Sequence, residues 1–115
     1  MSNKDRRFLR LAANLAQSSE CSFRHGAVVV KGGRVVSTGI NRFKNHPLSV
    51  SPEHIKSHCS VHAEVDALRK LKDAKGATIY VARIGRRGDK MLSRPCNMCY
   101  IAIRDAGVAK IVYTN

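Results

Sequence analysis

Hydrophobic residues recur at intervals of three and four positions between residues 4 and 17. This spacing places them on one side of an α-helix and is typical of a helix that covers a core. The serines at positions 18 and 19 indicate where that helix ends. We therefore predict a first helix from Lys4 to Gln17, with a buried stripe made of Phe8, Leu11, Ala12, Leu15 and Ala16.

A continuous apolar run from Ala27 to Val30 predicts a short buried strand. Gly32 and Gly33 then supply the positive backbone angles of a tight turn, and the chain returns through a second predicted strand, Arg34 to Thr38. This pattern predicts an antiparallel hairpin. Periodicity disappears between Ile40 and Ser60, and a loop of this length inside a domain is usually functional, so we expect a lid or a substrate rim there.

The second half of the chain alternates helical and strand patterns. A helix is predicted from His62 to Leu71, with Ser60 as its N-cap. Its predicted buried stripe consists of Val61, Val65, Leu68 and Leu71. Thr78 to Ile84 is rich in β-branched and aromatic residues and predicts a strand, which is followed by a solvated turn at residues 85–90.

Pro95 is predicted to open a last helix, because proline is favoured in the first helical turn. That helix runs to Ala106, and Gly107 stops it. A final strand follows from Ile111 to Tyr113. The resulting order, α-β-β-α-β-α-β, predicts an α/β sandwich with a mixed sheet, and we expect residues 1–115 to form one domain.

The chain is strongly basic, with 21 Lys and Arg against 8 Asp and Glu and a formal charge of +13. Such a surface attracts phosphates, which favours a phosphorylated substrate, from a mononucleotide to single-stranded nucleic acid, over a neutral nucleoside. Only 5% of the residues are aromatic, which argues against a broad base-stacking surface. No run approaches the roughly 20 apolar residues of a membrane span, so we expect a cytoplasmic, intracellular protein without a membrane partner.

Two short motifs carry the candidate chemistry, His62-Ala63-Glu64 and Pro95-Cys96-Asn97-Met98-Cys99. One imidazole and two thiolates fill three positions around a zinc ion and leave the fourth to water, as in catalytic zinc sites. Glu64 is poorly placed to be a further ligand and well placed to take a proton from that water and return it to a substrate. This pair of motifs is the signature of zinc-dependent nucleobase deaminases.

Other interpretations of the cysteines remain open at this point. Cys59 and His62 could join Cys96 and Cys99 in a closed structural site, which would make the chain a non-catalytic zinc module that binds nucleic acid. A redox Cys-x-x-Cys pair leaves the histidine and the glutamate unexplained, and disulfides would require an oxidising compartment. A second metal site could use Cys59, His58 or His54, whereas Cys21 and Cys59 could instead be small buried hydrophobes.

Nearly the whole chain resembles the zinc-dependent cytidine and deoxycytidylate deaminase superfamily, and is most similar to its deoxycytidylate branch, including small phage-encoded members. The resemblance rests on the two zinc motifs and on the segments 20–30, 34–41, 61–68, 76–81 and 106–113. It implies a cytidine deaminase-like α/β/α sandwich and hydrolytic deamination of a cytosine nucleotide, with dCMP to dUMP as the first expectation. The alternative is a polynucleotide deaminase that acts on single-stranded DNA or RNA, or on tRNA.

The resemblance also implies a set of roles for individual residues. Zinc would be bound by His62, Cys96 and Cys99, and Glu64 would act as the proton shuttle beside a zinc-bound hydroxide. Asn41 would reach the sugar or base of the substrate, although it could instead be a turn residue that caps a strand. The backbone N–H of Ala63 would hold a carbonyl of the ring.

Three departures from the familiar members bear on these expectations. Asp66 replaces an asparagine and would repel a phosphate if it faced the pocket. Arg94 precedes the second motif and could hold the substrate phosphate, or could be an ordinary exposed base. The chain stops after the last recognisable strand, Ile111 to Tyr113, which would leave a sheet edge for a partner subunit, so we expect a homo-oligomer.

Overall fold

The computed structural model describes residues 1–21, 23–42, 61–85 and 87–114. The order predicted from the sequence is confirmed, with one addition, a two-residue strand that begins at the last residue of the predicted turn at residues 85–90. The elements are α1 (Asn3–Ala16), β1 (Arg24–Lys31), β2 (Arg34–Ile40), α2 (Ala63–Leu68), β3 (Thr78–Ile84), β4 (Lys90–Met91), α3 (Asn97–Asp105) and β5 (Lys110–Tyr113). None of the helices in these ranges has the length and apolar character needed to cross a bilayer.

The strands form one mixed sheet in which β1 lies between β2 and β3. The β1–β2 pair is antiparallel, as predicted, and turns through Gly32 (φ 61°) and Gly33 (φ 77°). The β1–β3 pair is also antiparallel, whereas β5 runs parallel to β3 beside its first four residues. The short β4 pairs with the other end of β3, at Arg83 and Ile84, and thereby extends the same edge of the sheet.

Helices cover both faces of the sheet, which confirms the predicted α/β/α sandwich. On one face α1 packs against a core cluster that includes Val28, Tyr80 and Ala82. On the other face α2 and α3 pack against the alternate strand residues Ala27, Val29, Ile79 and Val81. Successive strand residues point to opposite faces, so β1 and β3 serve both layers and are the most buried strands of the sheet.

The buried stripe of α1 differs from the predicted one. Leu11 is 36% exposed, whereas Leu9 and Ala13 are buried together with the predicted Phe8 and Ala12. The reason is a close approach of the helix backbone to Gly26 of β1, where an added Cβ would stand 2.1 Å from the carbonyl oxygen of Ala12. This contact rotates the helix so that small residues face the strand.

The predicted helix at residues 62–71 is shorter and faces the sheet differently. It ends at Leu68, its N-cap is His62, and the predicted cap Ser60 lies outside the described residues. Its most buried residues are Ala63, Glu64, Asp66 and Ala67. The predicted stripe is confirmed in part, because Leu68 and Leu71 pack against the core while remaining partly exposed, as are Val61 and Val65. Gly39 of β2 allows this close approach, since a Cβ there would stand 2.4 Å from the carbonyl oxygen of Ala63.

The last helix begins later than predicted. Cys96 is its N-cap, and Pro95 therefore lies just before the helix rather than in its first turn. Its predicted stop is confirmed, because Gly107 has a φ of 84° and its N–H donates to the carbonyl of Arg104 at 2.9 Å. This left-handed conformation is one that glycine adopts without strain.

Candidate active site

Two helix N-termini meet on the face of the sheet that α2 and α3 cover. His62 is the N-cap of α2, Cys96 is the N-cap of α3, and Cys99 lies in the first turn of α3. The Cys96 sulfur accepts a hydrogen bond from the Cys99 N–H at 3.5 Å, which fixes the two cysteines relative to each other. Both zinc motifs therefore lie at helix starts, as the sequence predicted.

The three predicted ligands form a compact cluster. Nδ1 of His62 lies 3.1 Å from the sulfur of Cys99 and 3.7 Å from the sulfur of Cys96. The ligand atoms of all three residues lie within 4.8 Å of one another. Tetrahedral zinc, with bonds of about 2.1 Å to nitrogen and about 2.3 Å to sulfur, holds its ligands about 3.6 to 3.8 Å apart. The distance from His62 to Cys96 matches this spacing and the distance from His62 to Cys99 is shorter than it, so the three ligand atoms are close enough together to surround one zinc ion.

The surroundings of Cys99 favour the binding of a cation beside its sulfur. This residue is fully buried, and burial raises the pKa of its thiol, as do the nearby Glu64 carboxylate and Cys96. A thiolate is therefore unfavourable at this position unless a positive charge lies beside it. The N-terminus of α3 supplies a partial positive charge, and a zinc ion bound in the cluster would supply the rest.

A cavity of about 240 Å³ opens beside the cluster. Every predicted site residue except Cys99 lines it. Its walls are formed by Cys21, Phe23, His25, Asn41, His62, Ala63, Glu64, Ser93, Arg94 and Cys96. The cavity therefore joins residues from β1, the end of β2, the start of α2 and the segment before α3.

Glu64 and Ala63 belong to the first turn of α2, directly after the histidine. Glu64 is only 5% exposed, and its carboxylate lies close enough to influence the pKa of both Cys99 and His25. Ala63 is the first residue of the helix, so no carbonyl within the helix accepts its N–H. The turn thus presents a carboxylate and a backbone donor at the same cavity.

Asn41 lines the cavity, but its side chain bonds to the protein in this structure. Its Oδ1 accepts hydrogen bonds from the Ser19 hydroxyl at 2.7 Å and from the His25 N–H at 2.8 Å. Its Nδ2 donates to the carbonyl of Phe23 at 2.5 Å. These contacts hold the segment before β1 against the end of β2, so Asn41 has the capping role that the sequence also allowed. A contact between Asn41 and the substrate stays a prediction.

Residues 2–115 match the family model of the cytidine and deoxycytidylate deaminase zinc-binding region. The chain belongs to this family. It is accordingly a hydrolytic deaminase with zinc as its cofactor, and the His62, Cys96 and Cys99 cluster is suited to bind that ion. Cys59, His54 and His58, considered above for other metal sites, lie outside the described residues.

Several known proteins are similar to this deaminase over most of its length. The deoxycytidylate deaminase of Mycobacterium phage D29 is 33% identical over 128 residues, which cover 95% of this chain and 92% of the relative. The deoxycytidylate deaminase of Enterobacteria phage T4 is 28% identical over 143 residues, which cover 91% of this chain and 74% of the relative.

Solved structures show the same fold. The dCMP deaminase from cyanophage S-TIM5, in complex with dCMP and dUMP, superposes with a TM-score of 0.76 at 24% identity, covering 98% of this chain and 82% of that one. A structure from a study of A-to-I editing by tRNA:A34 deaminases gives a TM-score of 0.57 at 23% identity, covering 94% of this chain and 74% of that one. The fold is therefore shared by relatives that act on different substrates.

Asp66 of the deaminase does not line the cavity. It is buried against β2, where its carboxylate accepts the Ile40 N–H at 3.2 Å and pairs with Arg42 at 2.7 Å. Arg69 and Lys70 add two further cations at 2.9 and 3.4 Å. Its charge is thus neutralised by cations outside the pocket, so the expected repulsion of a phosphate does not arise from this structure.

A β-bridge between Arg42 and Val61 brings Asn41 and His62 to the same cavity. The N–H of each bridge residue donates to the carbonyl of the other, at 3.0 and 3.1 Å. Asn41 directly precedes Arg42 and His62 directly follows Val61, so the bridge sets both neighbours at once. Residues 43–60, which include most of the predicted loop, lie outside the described part of the chain.

A hydroxyl network anchors the approach to the cysteine motif of the deaminase. Ser93 is buried, and its hydroxyl donates to the carbonyl of Val81 at 2.7 Å while accepting from the Thr114 N–H at 2.8 Å. The Ser93 N–H also donates to the Thr114 carbonyl at 2.9 Å. The end of β5 therefore fixes the segment that leads into Cys96.

Four residues that line the cavity were not predicted from the sequence as site residues: Cys21, Phe23, His25 and Ser93. The strand pattern could have identified two of them, Phe23 and His25. Both lie on β1 or just before it, at alternate positions that continue the face occupied by Ala27 and Val29. Strand alternation extended backwards from Ala27 would have placed them on this face. Burial lowers the pKa of His25, while the Glu64 carboxylate opposes that shift, which places this imidazole in the charged surroundings of the site.

Proposed function

We propose that this deaminase hydrolyses a cytosine nucleotide, converting dCMP and water to dUMP and ammonia. The observation that carries the proposal is the burial of Glu64 in the same cavity as His62 and Cys96. A closed structural zinc site has no use for a carboxylate beside it, whereas hydrolysis needs a group that moves protons. The phage relatives described above are deoxycytidylate deaminases, which supports a cytosine mononucleotide as the substrate.

His62, Cys96 and Cys99 would hold the zinc, which when bound lowers the pKa of a water molecule so that it can attack C4 of the ring near neutral pH. Glu64 takes one proton of this water and donates it to N3 of the ring. It then delivers the second proton to the 4-amino group. The C4–N bond breaks, ammonia leaves, and a carbonyl forms at C4.

Two further groups orient the ring and sugar in this proposal. The N–H of Ala63, which has no acceptor within α2, donates to the C2 carbonyl of the cytosine, so that C4 faces the cluster. Asn41 stands at the wall next to the deoxyribose. Arg94 is an exposed residue that lines the cavity, and it binds the 5′-phosphate of the nucleotide.

Replacement of Glu64 by glutamine tests the proton-shuttle role. Glutamine keeps the size of the side chain but cannot carry the proton, so we expect the turnover of dCMP to fall by about 10²- to 10⁴-fold. The zinc content should stay at the wild-type level, because the three ligands are unchanged. Turnover is measured as dUMP formation by chromatography, and zinc by elemental analysis.

The matched control is Asp105→Asn, which makes the same change from acid to amide at an exposed residue at the far end of α3. We expect wild-type turnover from this variant. Equal turnover by Glu64→Gln and wild type would refute the shuttle role. Formation of uracil only within oligonucleotides, and not from dCMP, would favour the polynucleotide alternative, which the formal charge of +13 supports.

A further inference from the structure

Arg83 lies beside the cavity on the face of the sheet that carries the metal cluster. It pairs with His25 in the antiparallel register of β1 and β3. Its side chain continues the row formed by Ile79 and Val81, which pack under α2 and α3. The cavity residues Phe23 and His25 are therefore its direct neighbours.

The guanidinium of Arg83 is held by an aromatic ring. Its Cζ lies 4.6 Å from the centroid of the Phe23 ring, and this ring is 58% exposed where it lines the cavity. A guanidinium that stacks on an aromatic ring keeps its N–H groups directed outward in its own plane. These groups can therefore donate to an acceptor that lies beyond the edge of the ring. The ring thus orients the cation without neutralising it.

Arg83 also lacks the partners that other arginines of this deaminase have. Its Nε is buried and has no hydrogen-bond acceptor among the described residues. None of the ion pairs in the described ranges includes Arg83, whereas Arg42 and Arg69 both pair with Asp66. The buried Nε is out of reach of a ligand, but no carboxylate among the described residues neutralises the guanidinium, so its charge is available to an anion that contacts its terminal N–H groups.

The charge of Arg83 acts inside the cavity. It lowers the pKa of His25, in addition to the larger effect of burial on the same group. His25 lines the cavity together with Glu64 and Arg94. An anion at the rim of the cavity would therefore be attracted by two cations, Arg83 on β3 and Arg94 in the segment before α3.

We propose that Arg83 is a phosphate-binding residue that, together with Arg94, makes the site select a 5′-phosphorylated nucleotide over the nucleoside. This inference rests on the proposed function for the identity of the base, but the phosphate contact can be measured separately. A phosphate dianion is well matched by two guanidinium groups, which donate several charge-assisted hydrogen bonds. Phe23 is the residue that positions one of them.

The decisive variants are Arg83→Met and Arg83→Lys, compared on dCMP and deoxycytidine. We expect Arg83→Met to lower kcat/KM for dCMP by about 10- to 100-fold, mainly through KM, and to leave deoxycytidine within about 2-fold. Arg83→Lys keeps the charge and should recover part of the loss. Arg104→Met, at an exposed site on α3, removes the same net charge and should leave both substrates unchanged.

Calorimetric binding of dCMP, deoxycytidine and inorganic phosphate to each protein separates this proposal from the proposed function. A wild-type protein that does not deaminate dCMP would refute the proposed function. The phosphate contact would still be supported if wild type binds dCMP more tightly than deoxycytidine and Arg83→Met abolishes this difference. The proposal is overturned if Arg83→Met weakens dCMP and deoxycytidine equally, or weakens neither. If the methionine variant does not fold, the same comparison with Arg83→Lys decides.

Discussion

Three buried acidic side chains of the described chain have three different surroundings. Glu64 faces the cavity, Asp66 is surrounded by basic residues at the end of β2, and Asp5 ties the start of α1 to the sheet. The Tyr80 hydroxyl donates to Asp5 at 2.8 Å, and the Lys110 ammonium lies 3.3 Å from it. A carboxylate that is buried in this way is stabilised in its charged form only where donors or cations surround it.

The surroundings of Asp5 predict a pH-dependent contribution to stability. The Tyr80 hydrogen bond and Lys110 hold the pKa of Asp5 below its ordinary value of 3.8 in the folded chain. The folded state therefore gains stability above that value and loses it as the pH falls through the lowered pKa. We expect Asp5→Asn to reduce the free energy of unfolding by about 1 kcal/mol near neutral pH.

Urea unfolding at a series of pH values measures this difference. The gap between wild type and Asp5→Asn should close as the pH falls below 3.8. Asp105→Asn is the control, because Asp105 is an exposed acid at the end of α3 that takes part in none of the ion pairs among the described residues. A gap that stays constant over the whole pH range would contradict the role of the Asp5 charge.

At the scale of secondary-structure elements, two glycines set the distance between the helices and the sheet. A Cβ on Gly26 would meet the backbone of α1, and a Cβ on Gly39 would meet the backbone of α2 at 2.4 and 2.5 Å. Backbone atoms of a packed helix cannot move aside as a flexible side chain can. The position of α2, and with it the position of His62 and Glu64, therefore depends on the missing side chain at Gly39.

Alanine at these two glycines should separate stability from zinc binding. Both substitutions overpack a helix against the sheet, so we expect each to reduce the free energy of unfolding by about 1 to 3 kcal/mol or more. Gly39→Ala displaces α2 and should weaken zinc binding and turnover, whereas Gly26→Ala displaces α1 on the opposite face and should leave the folded protein with its zinc. Chelator competition and thermal unfolding measure the two effects, and equal zinc affinity in both variants would contradict the assignment.

At the scale of the whole molecule, the net charge of +13 attracts any polyanion. Such attraction is spread over the surface and releases counterions, so it weakens steeply as salt rises. A mononucleotide makes few phosphate contacts and should depend on salt much less. The charge thus predicts a general, salt-sensitive affinity for nucleic acid, and this affinity would not by itself make a polynucleotide the substrate.

Salt titration of binding to the Glu64→Gln variant should separate the two ligands. We expect the affinity for a single-stranded oligonucleotide to fall by orders of magnitude between low and moderate NaCl, while that for dCMP falls only several-fold. Fluorescence anisotropy and calorimetry give the two series. Oligonucleotide binding that persists at high salt, together with deamination of the bound strand by wild type, would favour the polynucleotide alternative.

The sequence by itself determined the features that depend on residues close together in the chain. The spacing in His62-Ala63-Glu64 and in Cys96 to Cys99, the glycine turn of the hairpin and the stop at Gly107 follow from local geometry. The order of helices and strands follows from periodicity for the same reason. These local signals suffice to predict the fold class and the three zinc ligands.

Only the tertiary structure decided which faces and partners those elements use. The rotation of α1 that exposes Leu11 and the burial of Asp66 against Ile40 depend on how closely each helix approaches its glycine. The contact between Phe23 and Arg83 depends on the pairing of β1 with β3. Such contacts join residues that are distant in the chain, so the packing energy of the whole sandwich selects them and no local pattern encodes them.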